Sequence, residues 1–155
     1  MVKIIYAVLL GVILAFFVGL GIEAFYPTQR YPETPAILQY DKVNTTPQTA
    51  EQIKAQENYD LTVKDWTEKN ATHARNVSVI AIIGSIIFMI LSLTILAKKD
   101  VFSNGFMLGS LFTLIYGIGR GFEGDDNKFR FLIVTIGLIA TLTLGYFKFL
   151  KQEEK

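Results

Sequence analysis

The sequence predicts an all-α membrane protein, in which a bundle of four transmembrane helices carries a long helical extramembrane arm continuing into the second span. Of the 155 residues, 51% are hydrophobic and only 19% are charged, and the mean hydropathy is +0.37. This balance is too apolar for a soluble domain of that length. Four runs approach the roughly 20 apolar residues that a helix needs to cross a bilayer. All four prolines lie in one segment between the first two runs.

The ends of the apolar runs set the predicted transmembrane helices at residues 1–26, 77–97, 101–119 and 131–149. The third and fourth are joined by a short polar loop, 120–130, and a charged tail follows at 150–155. Because the links between the last three spans are short, these helices are expected to be antiparallel neighbours. The first run could instead be a signal peptide. It is long for one and lacks a small-residue cleavage motif, so we expect it to remain as an anchor.

The segment between the first and second spans carries most of the charge and is expected to lie outside the membrane. Its first part, 27–48, is Pro-rich and predicts an extended strap. In its second part, 49–76, Thr49 and Gln52 form a capping box that opens a helix, the arm, which we expect to run unbroken into span two. The alternative is a shorter helix folded back over the headgroups.

One face of the arm carries a heptad-like stripe that favours an interface with another helix or protein. The residues of this arm stripe are Tyr59, Val63, Trp66, Asn70 and His73.

Small residues recur every four positions on three of the spans, so that another helix backbone can approach closely. The first span carries Ala7, Gly11, Ala15 and Gly19; the third carries Gly105, Gly109, Thr113 and Gly117; the fourth carries Gly137, Thr141 and Gly145. Two uses are open, packing inside one four-helix bundle and packing between protomers, and a flexible or pore-lining third helix is the less favoured alternative. The second span instead carries a serine seam, with Ser78, Ser85 and Ser92 spaced by seven.

Glu23 is the acidic residue embedded in an apolar run, near the end of the first span. An ionised carboxylate there needs a partner or a water-filled route. If the spans alternate in direction, Arg120 and Arg130 reach the same membrane face, which predicts an ion pair that locks helices together. An interfacial carboxylate without such a pair, or an ion or proton site, are the alternatives.

Composition excludes several function classes. The net charge of +1 is not that of a nucleic-acid binder, and a chain with no cysteine and one histidine offers no disulfide or Cys-ligated zinc. We therefore predict no metal site, no cofactor and no nucleic-acid partner. Because no nucleophile elbow, phosphate-binding loop or paired intramembrane carboxylates occur, we also predict that the protein is not an enzyme.

The end of the first span reads Gly19-x-Gly21-x-x-Ala24-Phe25-Tyr26-Pro27, Arg75-Asn76-Val77 enters the second, and Gly145-Tyr146 closes the fourth. Through these residues the chain resembles a group of uncharacterised small four-span membrane proteins of bacteria with reduced genomes. The resemblance covers most of the chain and implies an architecture, with no activity, ligand or site residue to transfer.

These observations predict a non-enzymatic integral membrane protein that self-associates into a homo-oligomeric scaffold in a bacterial cell membrane. Its partners would be the lipid bilayer, other copies of the chain and, through the arm, another membrane or surface protein. The alternative is an oligomeric channel or small-solute transporter. Because Lys3 precedes the first span and the first helix usually sets orientation, we expect cytoplasmic termini and residues 27–76 outside the cytoplasm.

Overall fold

The computed structural model describes residues 1–39, 49–96, 98–124 and 126–150, with side chains to Lys148. The second half of the predicted strap, the last residue of the predicted second span and the charged tail lie outside the described residues. Every regular element in the described ranges is helical. The helices are α1 (Val2–Phe25), α2 (Ala36–Gln39), α3 (Ala50–Leu93), α4 (Asp100–Gly121) and α5 (Asn127–Gly145), which ends in a π-helical turn at Tyr146–Leu150.

Four of these helices, α1, α3, α4 and α5, are long and apolar enough to cross a membrane. The predictions of an all-α chain and of four such helices are thus confirmed, and these helices suggest membrane integration. Helix α3 is 44 residues long and unbroken, as the absence of proline after Pro47 predicts. Its predicted capping box is also confirmed: the Thr49 amide donates to Gln52 Oε1 over 2.6 Å, and the Gln52 amide donates to Thr49 Oγ1 over 3.3 Å.

Two helix boundaries differ from those predicted from the apolar runs and the prolines, and local sequence explains both. Helix α5 begins at Asn127 because the Asp126 side chain caps it, accepting from the amides of Lys128 and Phe129. A capped helix can start in polar sequence, before the apolar run that predicted it. The segment predicted as extended contains the short helix α2, which follows Pro35, a residue suited to a first helical turn.

The chain divides into two compact units, which we call the apolar unit, residues 1–27 with 74–155, and the polar unit, residues 28–73. In the apolar unit, α1 and α4 run parallel, since Tyr6 contacts Phe102 at one end and Gly19 lies near Tyr116 towards the other. Helices α3 and α4 run antiparallel, because Ser92 hydrogen-bonds to Ser103 while Ala81 lies against Gly117.

The buried core of the apolar unit is small and distributed along the helices. One cluster joins Ile22 of α1 to Val77 and Ala81 of α3. A second cluster joins the three other long helices through Ile82, Leu114 and Ile133. Most large side chains of α1 are instead exposed, as Phe17 is at 72%. Such a surface is costly in water and suited to lipid.

Candidate functional site

Helices α1 and α4 of the apolar unit cross closely at the predicted small-residue stripes. A methyl group added at Gly11 would lie 2.8 Å from Leu108 Cβ, 3.0 Å from the Gly109 nitrogen and 3.2 Å from the Gly105 oxygen. From the α1 side, Leu10 packs over Gly105 of α4 and Leu14 packs over Gly109. Ala7, one turn before Gly11, is buried. Glycine therefore lets two backbones touch here, as in close helix pairs in membranes.

Other small residues of α4 and α5 contact α3 and each other. A methyl group at Gly117 would lie 3.1 Å from Ala81 Cβ, and one at Gly137 would lie 2.8 Å from Ile118 Cδ1. Thr113 is completely buried. On α5, Thr141 donates to the Gly137 carbonyl over 2.8 Å, whereas Gly145 has open space where a side chain would be.

The second half of the α1 stripe is not covered in the same way. Ala15 and Gly19 line an open groove of about 420 Å³ beside Phe112 and Tyr116 of α4. A methyl group at Gly19 would come no nearer than 3.9 Å to Tyr116. The two parallel helices therefore touch at Gly11 and leave a small-residue groove further along, with Glu23 at its edge.

The serine seam of α3 is buried among protein atoms. Ser78, Ser85 and Ser92 have no exposed surface. The Ser85 hydroxyl donates to the Ile82 carbonyl over 2.7 Å, which satisfies it within its own helix. Ser92 and Ser103 form a reciprocal clasp: Ser92 Oγ donates to the Ser103 carbonyl over 2.7 Å, and Ser103 Oγ donates to the Ser92 carbonyl over 3.0 Å.

Arg120 and Arg130, which the sequence predicts to lie near Glu23, both contact the loop between α4 and α5. Arg120 forms an ion pair with Glu123, with both carboxylate oxygens 2.6 Å from Nη1. Arg130 donates to the Phe122 carbonyl over 3.1 Å. The loop between α4 and α5 is therefore closed by arginines bonded to it. At the same end, Asn76 donates to the Tyr26 hydroxyl over 3.1 Å, which joins α3 to the end of α1.

In the polar unit, the strap packs on part of the arm stripe. The Trp66 indole nitrogen donates to the Gln29 carbonyl over 3.1 Å, and the Tyr31 ring meets the Trp66 ring edge-on, with centroids 4.9 Å apart. Thr34 and Tyr59 hydroxyls lie within hydrogen-bond distance, at 3.3 Å. A hydrogen bond that the Tyr31 hydroxyl donates to Tyr59, and then charge repulsion between the two phenols, raises the pKa of Tyr31 above its ordinary value. The protonated phenol is therefore the form this contact favours.

The remaining residues of the arm stripe are also shielded from solvent. Val63 and Asn70 are half-buried, and His73 is buried. The stripe is thus the less exposed face of the arm within the polar unit, and a segment of the same chain provides part of its cover.

No family model, curated protein or solved structure matches this chain. Its function is therefore argued from its residues. Among the described residues, no group of three or more His, Asp or Glu side chains is arranged to hold a metal ion.

Sequence reasoning missed the Ser92–Ser103 contact, the pairing of Glu123 with Arg120, and the strap residues that contact Trp66. For Glu123 a signal was present, because it follows Arg120 by three positions and such pairs meet on a helical turn. A signal was also present for Ser103. Ser92 and Ser103 lie about equally far in sequence from the short turn between α3 and α4, and such residues face each other in an antiparallel helix pair.

Proposed function

We propose that this chain is a non-enzymatic integral membrane protein whose four long helices form a bundle in the bilayer and whose copies assemble into a homo-oligomeric scaffold. One observation carries the proposal: the small-residue stripe of α1 is used at Gly11 for contact inside the chain, while Ala15 and Gly19 lie in an open groove. One half of the α1 stripe is therefore covered by α4 of the same chain, and the other half is available to a helix of another copy.

In lipid, helices associate through close van der Waals contact at small residues, because lipid tails are as apolar as leucine. A groove lined by Ala15 and Gly19, with Phe112 and Tyr116 as walls, offers such contact to a helix of a second copy. Phe16 lines the same groove and is exposed, so on each copy it is available to pack into the groove of a neighbouring copy.

The burial of the serine seam supports a scaffold over a channel through a single chain. A water-filled path needs polar groups that face it. Here Ser85 is bonded within its own helix, and Ser92 is bonded to Ser103. The Ser92 hydroxyl joins two helices, and the Ser85 hydroxyl is satisfied within its own helix, so neither needs water as a partner.

We test self-association by filling the groove. Gly19→Leu is expected to weaken self-association by about tenfold, or ~1.4 kcal/mol, because the new side chain occupies the space for the partner helix. Gly21→Leu is the matched control on the same helix, since a side chain at Gly21 meets nothing within 4 Å. Native mass spectrometry of protein in nanodiscs reads the result. A monomeric native protein, or equal loss of oligomer in both variants, would contradict the proposal.

We place residues 27–76 outside the bacterial cytoplasm and both termini inside. Lys99 precedes α4, which runs parallel to α1, and Lys148 lines one pocket with Lys3, so the three lysines share one end. Cytoplasmic ends are rich in lysine. Because the chain has no cysteine, a single cysteine at Glu57 reports its side directly. A membrane-impermeant maleimide should label Glu57→Cys in intact cells, and labelling only after cell lysis would reverse the assignment.

A further inference from the structure

Two lysines that are far apart in sequence line one pocket at the end of the apolar unit where α1 begins. The pocket holds about 460 Å³ and is lined by Lys3 of α1, Asp100 and Asn104 of α4, and Lys148 of the π-helical turn. The rest of its wall is apolar and includes Met107 and Leu108 of α4. The pocket thus combines a polar mouth with a hydrocarbon-lined depth.

The topology explains why these lysines meet. Helices α1 and α4 run parallel, so Lys3 lies at the same end as Asp100. Helix α5 runs antiparallel to α4, as shown by Gly121 beside Ile133 and Gly137 beside Ile118, which brings Lys148 to that end. All three charged groups are therefore at one membrane boundary.

The side chains that line the pocket carry a net positive charge, with two lysines and one aspartate. Within the described residues, neither Lys3 nor Lys148 has a carboxylate within ion-pair distance, and the acid lining the pocket, Asp100, lies in the first turn of α4. An acid in that position is already stabilised by the helix dipole and does not need a lysine. Among the described residues, the two ammonium groups and the Asn104 amide are therefore the groups at this mouth that can bind an anion.

We propose that this pocket binds one anionic phospholipid, with its headgroup phosphate between Lys3 and Lys148 and an acyl chain along Met107 and Leu108. Lysine side chains at a helix end extend their aliphatic part along apolar surface and place the ammonium at headgroup level. The mouth carries two lysines against one aspartate and is therefore net positive. A zwitterionic lipid would bring its own cation to this mouth, whereas a headgroup with net negative charge complements it. Charge complementarity selects the anionic lipid.

The test counts lipids bound to the full chain. Native mass spectrometry of protein in mild detergent is followed as phosphatidylglycerol or phosphatidylcholine of the same acyl chains is added. The native protein is expected to retain one phosphatidylglycerol in preference to phosphatidylcholine. Each lysine contributes about fivefold to the affinity for an anionic lipid. The double variant Lys3→Ala with Lys148→Ala should therefore lower the affinity for phosphatidylglycerol by about 25-fold and leave the affinity for phosphatidylcholine unchanged.

The matched control is Lys98→Ala with Lys99→Ala, which removes the same charge from nearby positions that do not line the pocket. Equal weakening in both double variants, or equal affinity of the native protein for the two lipids, would overturn the proposal. If the double alanine variant does not fold, Lys148→Gln and Lys148→Arg replace it, and only the glutamine variant should lose affinity. The proposal rests on placing the helices in a bilayer but not on self-association, because lipids are counted on monomer and oligomer alike.

Discussion

Replacing Gly11 with alanine is expected to lower the stability of the protein by about 2–3 kcal/mol, which is large for the addition of one methyl group. The methyl would collide with Leu108 Cβ and with two backbone atoms of α4, at 2.8–3.2 Å. None of these atoms is the free end of a flexible side chain, so the helices must separate. In separating, they lose van der Waals contact along the whole crossing, since interiors are close-packed.

The matched control for this prediction is Gly21→Ala on the same helix. A methyl group at Gly21 meets nothing within 4 Å, so its effect should stay within about 0.5 kcal/mol. The midpoint of thermal unfolding in a mild detergent, followed by circular dichroism, should fall by about 5–10 °C for Gly11→Ala and be nearly unchanged for Gly21→Ala. Similar midpoints for the two variants would show that α1 and α4 do not cross at Gly11.

The pairing of α1 with α4 shows where sequence reasoning reaches its limit in this fold. The four-residue spacing identifies the faces that can pack closely, and Gly11, Gly105 and Gly109 do meet. The same spacing on three helices does not say which pair will touch. That choice depends on larger neighbours, because Leu10 and Leu14 fit over the glycines of α4 in one register.

Helix lengths were more accessible to prediction than the contacts of polar groups. An apolar run and the absence of proline are local properties, so the extent of α3 could be predicted without knowing its neighbours. The Ser92–Ser103 clasp joins two helices, and the strap contact at Trp66 joins residues 37 positions apart. No periodicity in the strap indicates which arm residue it will cover, because an extended segment can pack at many positions along a helix.

Trp66→Ala is expected to release the strap from the arm. The substitution removes the hydrogen bond to the Gln29 carbonyl and the edge-on contact with Tyr31. A hydrogen bond contributes about 1 kcal/mol, and an aromatic pair adds a similar amount. The loss of about 2 kcal/mol should raise the opening equilibrium of the strap by about 30-fold. Hydrogen exchange at the Leu38 amide of the strap, which donates to the Pro35 carbonyl over 2.9 Å, measures this opening.

Two further substitutions separate the contribution of Trp66 from general effects on the arm. Trp66→Phe keeps an aromatic ring for Tyr31 but removes the indole donor, so exchange should rise only about fivefold. Leu61→Ala removes a 62% exposed side chain of the same helix, and exchange in the strap should not change.

If Leu61→Ala accelerates exchange as much as Trp66→Ala, the strap is held by the helicity of the arm and not by Trp66. If Trp66→Ala alone does so, the arm stripe is covered in part by its own chain. A partner protein would then have to displace the strap, or bind the arm at a face that includes Leu61.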